Sequence, residues 1–137
     1  MTRKLLVTFL ALSVAISSFA QKWAPVGNNI KTEWASKIDP SNPLPEYPRP
    51  QMVRKNWVNL NGLWNYAITE ASAESFKSEG RILVPYAVES SLSGVGRRIT
   101  KNDALWYERS FSIPKDWEGK NVLLHFGAVD WQAEVYV

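Results

Sequence analysis

Apolar and polar residues alternate along several short segments in the second half of the chain. Between positions 63 and 69, Leu63 and Ala67 fall on one face, with Trp64 and Ile68 on the other. A period of two is typical of strands that are half buried in a sheet. The same pattern predicts further strands at residues 81–84, 105–113, 122–126 and 131–137.

Turn-forming residues separate these segments. Asn61 and Gly62 precede the first, Pro85 ends the second, and residues 114–119 and 127–130 follow the next two. No stretch has a convincing helical period, and nothing has the strand–helix–strand order of a parallel sheet. The pattern therefore predicts an all-β fold, an antiparallel β-sandwich.

Residues 21–50 form a different region, in which five of the eight prolines lie between Pro40 and Pro50. Proline fixes φ and lacks an N–H donor, so the stretch from Pro40 to Pro50 is neither helix nor central strand. We expect an extended arm, anchored by Leu44 and Tyr47 on the folded body of residues 51–137. A linker is the alternative.

Residues 1–20 have the layout of a secretory signal peptide. A positively charged start precedes a mostly apolar run at residues 5–16, and small residues flank Phe19. These 12 residues are too few for a membrane-spanning helix, which needs about 20. We expect cleavage after Ala20 and a mature protein that is periplasmic or secreted and not membrane-bound.

Composition narrows the chemistry. Of the 137 residues, 16 are basic and 13 acidic, and the net charge of +3 falls to +1 once Arg3 and Lys4 leave with the signal peptide. That balance gives no support to a nucleic-acid partner. The absence of Cys and the single histidine, His125, argue against a thiolate metal site, a Cys nucleophile and a Ser-His-Asp triad. No metal or cofactor is expected.

The last predicted strand reaches Val137 without a turn or polar stop. About five strands are predicted, whereas closed sandwiches and jelly rolls usually have about seven or eight. A strand ending there would leave an open hydrophobic edge, which natural proteins avoid. We therefore expect the chain to be the N-terminal piece of a longer protein or a truncated product.

A series of motifs in a fixed order resembles the N-terminal sugar-binding domain of glycoside hydrolase family 2, which includes β-galactosidases and β-glucuronidases. These motifs are YPRPQ (47–51), WVNLNGLW (57–64), ILVPY (82–86), ESSLSG (89–94), WYERSF with IP (106–114), VLLHFGAVDW (122–131) and VYV (135–137). The resemblance implies a jelly-roll sandwich placed before an immunoglobulin-like domain and a catalytic barrel.

The activity that the resemblance implies is retaining hydrolysis of β-glycosides by two carboxyl groups, an acid/base and a nucleophile. In that family both lie on the barrel, so no catalytic residue is assigned here and the chain alone is expected to be inactive. Its carbohydrate substrate would be bound through the missing catalytic domain. A stand-alone carbohydrate-binding module and a structural interaction domain are the alternatives.

The long loop at residues 86–103 is the best candidate for contact with substrate, through Glu89 and Arg97. Solvated charges on a surface loop are the competing interpretation. Trp131 is a third candidate, since aromatic faces stack on sugar C–H surfaces. Trp131 and Trp117 are as readily explained as core or interdomain anchors.

The remaining histidine and carboxylate side chains are expected to have structural and not catalytic roles. His125 is expected to be a hydrogen-bonded structural histidine. Asp130 is expected in a turn, and Glu108 and Glu134 on exposed strand positions, because nothing in the sequence would raise a carboxyl pKa.

Overall fold

The computed structural model describes residues 23–137, so the predicted signal peptide lies outside the described residues. Three strands form one sheet: β1 at Gly62–Glu70, β2 at Gly80–Val84 and β3 at Asp103–Glu108. Short 3₁₀ turns lie at Glu33–Lys37, Pro50–Met52, Ser91–Ser93 and Lys115–Trp117. Within the described range, no helix has the length and apolar character that crossing a bilayer requires.

Strand β1 is the centre of the sheet and pairs antiparallel with both neighbours. Trp64 lies opposite Ile82 of β2, and Tyr66 lies opposite Tyr107 of β3. The all-β, antiparallel class predicted from the sequence is confirmed. The described residues form a single sheet, so the second sheet of a sandwich stays a prediction.

Both faces of the sheet are covered at β2, where the consecutive residues Ile82 and Leu83 are fully buried. Consecutive strand residues point to opposite faces, so each face has a core. On one face, Trp106 stacks on Phe76 at 5.1 Å between ring centroids. Its indole N–H donates to Thr69 Oγ1 at 2.8 Å, which satisfies the polar atom of this partly buried ring.

The first two predicted strands are confirmed to within one residue at each end. The third begins at Asp103, two residues before its predicted start, and ends at Glu108 instead of residue 113. Beyond Glu108, it is the Arg109 side chain that contacts the start of β1. Its Nη1 donates to the carbonyl oxygens of Leu60 and Asn61 at 2.9 and 3.1 Å. A side-chain contact replaces the expected backbone ladder.

The strands predicted at residues 122–126 and 131–137 are wrong. Both segments are irregular, and every residue from 121 to 137 is exposed. Alternation alone does not make a strand, because each strand needs a hydrogen-bonded neighbour, and none of the described residues supplies one here. The open strand edge behind the expectation of a longer protein is therefore not observed, and that expectation stays a prediction.

The proline-rich region contacts the segment just before β1. Asn59 Nδ2 donates to the Leu44 carbonyl at 3.1 Å, and Asn61 Nδ2 to that of the buried Pro43 at 3.4 Å. The Tyr47 ring packs against Trp57 at 4.8 Å, as expected of an anchor. The Leu44 side chain, in contrast, is 53% exposed, so its backbone is held and its side chain is not an anchor. The boundaries at residues 20 and 50 stay predictions.

Candidate functional site

The β2–β3 loop (residues 85–102) follows a cis Val84–Pro85 peptide bond and is built around one buried hydroxyl. Ser93 Oγ lies 2.8 Å from the Ser90 carbonyl and 3.0 Å from that of Val88, and shares its single proton between them. It also accepts from the backbone N–H groups of Val95 and Gly96 at 3.0 and 3.3 Å. A loop with this internal network has a defined conformation that can place side chains.

Arg97, the second predicted sugar contact, is exposed and forms an ion pair with Glu79. The other carboxylate oxygen of Glu79 accepts from the Ile68 N–H at 3.1 Å. Glu79 therefore links the loop to β1. Asp103 lies at the end of the same loop, where hydrogen bonds from Thr100, assisted by the charge of Arg97, lower the pKa of its carboxyl.

Glu89, the first predicted contact, is exposed at the start of the loop and acts electrostatically on Tyr107 of β3. Partial burial raises the pKa of the Tyr107 phenol, and the negative charge of Glu89 raises it further. Both effects disfavour the phenolate. The charge of Glu89, on the loop, thus acts on a side chain of the sheet.

Tyr107 belongs to a group of side chains on one sheet face that the sequence analysis did not identify. Its ring meets Trp64 edge to face, with centroids 6.4 Å apart and planes at 85°. The Arg109 guanidinium carbon lies 5.9 Å from the Trp64 ring centroid, within the range of a cation–π contact. We call Trp64, Tyr107 and Arg109 the aromatic–arginine surface, and the charge of Glu89 acts on its tyrosine. The signal for it was Arg109, the one charge on an otherwise apolar strand face.

The aromatic–arginine surface has groups that suit polar, ring-shaped ligands. Tyr107 is 41% exposed, and the Trp64 ring that it contacts also lies against the Arg109 guanidinium. Rings of this kind contact C–H surfaces, while the charged groups accept from or donate to hydroxyls. Within residues 23–137, no three His, Asp or Glu side chains gather in a way that would hold a metal ion.

Trp131, the third predicted contact, is 87% exposed. Trp117 is only partly buried, in a 3₁₀ turn. Among the described residues, no hydrogen bond or ion pair joins any two of Glu89, Arg97 and Trp131. Their role as substrate contacts stays a prediction.

The other singled-out side chains lie on the surface. His125 is exposed, 5.8 Å from the Trp57 ring, and makes no hydrogen bond within the described part of the chain, so the expected hydrogen bond is not observed. Glu108 is exposed on β3 as predicted and accepts from Asn65 Nδ2 at 2.9 Å. Asp130 and Glu134 are exposed in irregular chain, so Glu134 is not on a strand.

Comparison with known proteins gives one partial relationship. The chain is 30% identical over 84 residues to a β-glucuronidase of Streptococcus agalactiae serotype V. The aligned part covers 61% of this chain but only 14% of that enzyme. No protein-family model matches the chain. An all-β segment is thus similar to a small part of a glycoside hydrolase, which supports an origin related to such enzymes.

Substitution of Glu89 by Gln tests its proximity to Tyr107. Removing the negative charge lowers the pKa of the Tyr107 phenol, because the phenolate no longer faces a neighbouring anion. A residue-resolved NMR titration of the tyrosine rings measures the change. Glu134→Gln is the control, since Glu134 raises the pKa of Tyr136 mainly by accepting a hydrogen bond from its hydroxyl and also by its charge. It should lower only the Tyr136 pKa. An unchanged Tyr107 pKa in Glu89→Gln would contradict the arrangement.

Proposed function

We propose that this chain is the N-terminal sugar-binding segment of an exported β-glycoside hydrolase of family 2, with a jelly-roll fold. The observation that carries the proposal is the 84-residue similarity to a β-glucuronidase. The antiparallel all-β fold and the ordered motifs from residue 47 onward support it. The hydrolytic carboxylates belong, in this proposal, to a separate barrel and not to this chain.

Within this proposal, the chain contributes sugar contacts at the rim of the substrate site. Glu89 and Arg97 lie on the same internally bonded loop, and the charge of Glu89 acts on Tyr107. Arg97 is already paired with Glu79, so a sugar hydroxyl would share its guanidinium with that carboxylate. Guanidinium groups carry five N–H donors, which permits such sharing. Trp131 supplies an exposed ring for stacking.

The origin of the chain is tested by reading the coding sequence past Val137. The proposal expects an immunoglobulin-like segment and a barrel to follow in the same reading frame. A stop codon with no such sequence beyond it would contradict the enzyme origin for this gene. Export is tested by N-terminal sequencing of the protein from the culture, where a mature start at Gln21 is expected.

Sugar binding by the purified chain is tested by titration with glucuronides and galactosides while the tryptophan fluorescence is followed. A saturable change is expected, and Trp131→Ala should weaken the affinity about fivefold, because an aromatic contact contributes on the order of 1 kcal/mol. Trp34→Ala is the matched control, since Trp34 is also exposed, at 62%, but contacts Lys37. It should leave the affinity unchanged.

A folded chain that gives no saturable change would contradict sugar binding and favour a structural interaction domain. A stand-alone carbohydrate-binding module is the second candidate, favoured by the 87% exposure of Trp131. Saturable sugar binding by the purified chain, together with a gene that encodes no barrel after it, would identify this second candidate.

A further inference from the structure

The first described residues of the chain lie along the β2–β3 loop, although they are far from it in sequence. The Val26 N–H donates to the Ser91 carbonyl at 3.0 Å, and the Ser91 hydroxyl donates back to the Val26 carbonyl. The Trp23 indole N–H donates to the Leu92 carbonyl at 3.2 Å, across 69 positions. We call residues 23–26 the strap.

Two glycines of the loop make room for the strap. Gly94 has a φ of +81°, and a Cβ there would lie 2.9 Å from Cδ1 of Trp23. Gly96 has a φ of +64°, and a Cβ there would lie 2.6 Å from Cγ2 of Val26. Glycine is required at both positions, because φ is positive there and because a side chain would collide with the strap. The loop and the strap are therefore shaped to each other.

The strap contacts the part of the loop that separates the two predicted sugar contacts. Its partners fall between Ser91 and Gly96, and Glu89 and Arg97 stand just outside that span. Ser91 and Ser93 are buried, at 7% and 0% exposure. The strap packs on the outside of this turn, while Ser93 holds it from within.

We propose that the strap is a positioning element: Trp23 and Val26 fix the conformation of the loop and thereby the placement of Glu89 and Arg97. On the far side the loop is held by the ion pair between Arg97 and Glu79. The fixed conformation of the loop is a claim that does not depend on sugar binding. Only the consequence for affinity rests on the proposed function.

Amide hydrogen exchange of the full chain carrying Trp23→Ala tests this directly. The Val95 and Gly96 amides, which donate to Ser93 Oγ, should exchange about tenfold faster. The substitution removes the indole hydrogen bond and the contact of the Trp23 ring with the loop, so local opening of the loop requires less free energy. The Tyr66 and Ile82 amides in the sheet serve as the internal reference and should not change. Trp23→Phe keeps the ring contact and should recover much of the protection. Trp34→Ala should match the unaltered chain.

A double-mutant cycle that combines Trp23→Ala with Gly94→Ala measures the coupling between the strap and the loop. Because a Cβ at position 94 meets Trp23, the two substitutions disturb the same contact, so the pair should exceed Gly94→Ala alone by much less than tenfold. Additive effects would overturn the coupling. Unchanged loop amides in Trp23→Ala, or equal acceleration of the sheet amides, would overturn the positioning role.

Sugar affinity is a separate readout. Where the unaltered chain binds a glycoside, Trp23→Ala should weaken that binding. Failure of the unaltered chain to bind sugar contradicts the proposed function. The positioning role of the strap is then tested by the hydrogen-exchange result alone.

Discussion

Substitution of Gly62 by Ala should lower the free energy of unfolding by about 3 kcal/mol. Gly62 is buried at the first position of β1 and has a φ of +132°, which is unfavourable for residues with a Cβ. Holding a non-glycine residue in such a region requires about 1–3 kcal/mol. That conformational term alone makes the substitution severe.

The surroundings of Gly62 add a second term. A Cβ would lie 2.8 Å from Nη1 of Arg109, the same nitrogen that donates to Leu60 and Asn61. The guanidinium is the far end of a flexible side chain, so it moves in preference to the backbone. Its movement breaks two charge-assisted hydrogen bonds. A fully buried bond of this kind contributes about 1.5–3 kcal/mol to stability, and these two, which are partly buried, contribute less. Displacement from Trp64 follows, since the guanidinium packs over that ring.

Two other glycines provide matched controls in urea unfolding. Gly119→Ala tests positive φ without crowding, because φ is +75° and nothing lies within 4 Å; a loss of about 1 kcal/mol is expected. Gly80→Ala tests contact without positive φ, since a Cβ would meet only Tyr66 at an ordinary 3.6 Å; it should be nearly neutral. Equal losses in Gly62→Ala and Gly119→Ala would show that Arg109 is not displaced.

The strands that the sequence predicts well are those marked by residues within or next to the strand itself. β1 and β2 combine alternation with a glycine before one and a proline after the other, and their observed bounds differ from the predicted ones by at most one residue. The failed segment at residues 122–126 has the same alternation but no pairing partner among residues 23–137. Periodicity reports which side chains could share a face and contains no information about the neighbour.

The candidate site shows the same division. A long loop with charges was visible in the sequence, so Glu89 and Arg97 were identified as exposed loop residues. Their partners were not, because Glu79 is 18 positions from Arg97, and Trp23 is 69 from Leu92. Arg109 was visible only as an interruption of an apolar face. Its role required the positions of Gly62 and Trp64 in space.

Substitution of Ser93 by Ala should lower the free energy of unfolding by about 2 kcal/mol. Ser93 is fully buried, and its hydroxyl accepts from the Val95 and Gly96 amides while donating to the turn that precedes it. Alanine fits the space but leaves those two N–H groups without their acceptor. These two hydrogen bonds are partly buried, so the expected loss lies within the ~1–3 kcal/mol of an unsatisfied buried polar group.

Two serines calibrate the Ser93 result in the same urea experiment. Ser90 Oγ accepts one bond, from the Ser93 N–H at 3.2 Å, as an N-cap, so Ser90→Ala should lose about 1 kcal/mol. Ser36 is exposed and donates to the Glu33 carbonyl, so Ser36→Ala should lose less than about 0.5 kcal/mol. The expected order follows the number of hydrogen bonds that each hydroxyl makes and how far each bond is buried. If Ser93→Ala is no worse than Ser36→Ala, water reaches the two amides, and the loop is not held from within by this hydroxyl.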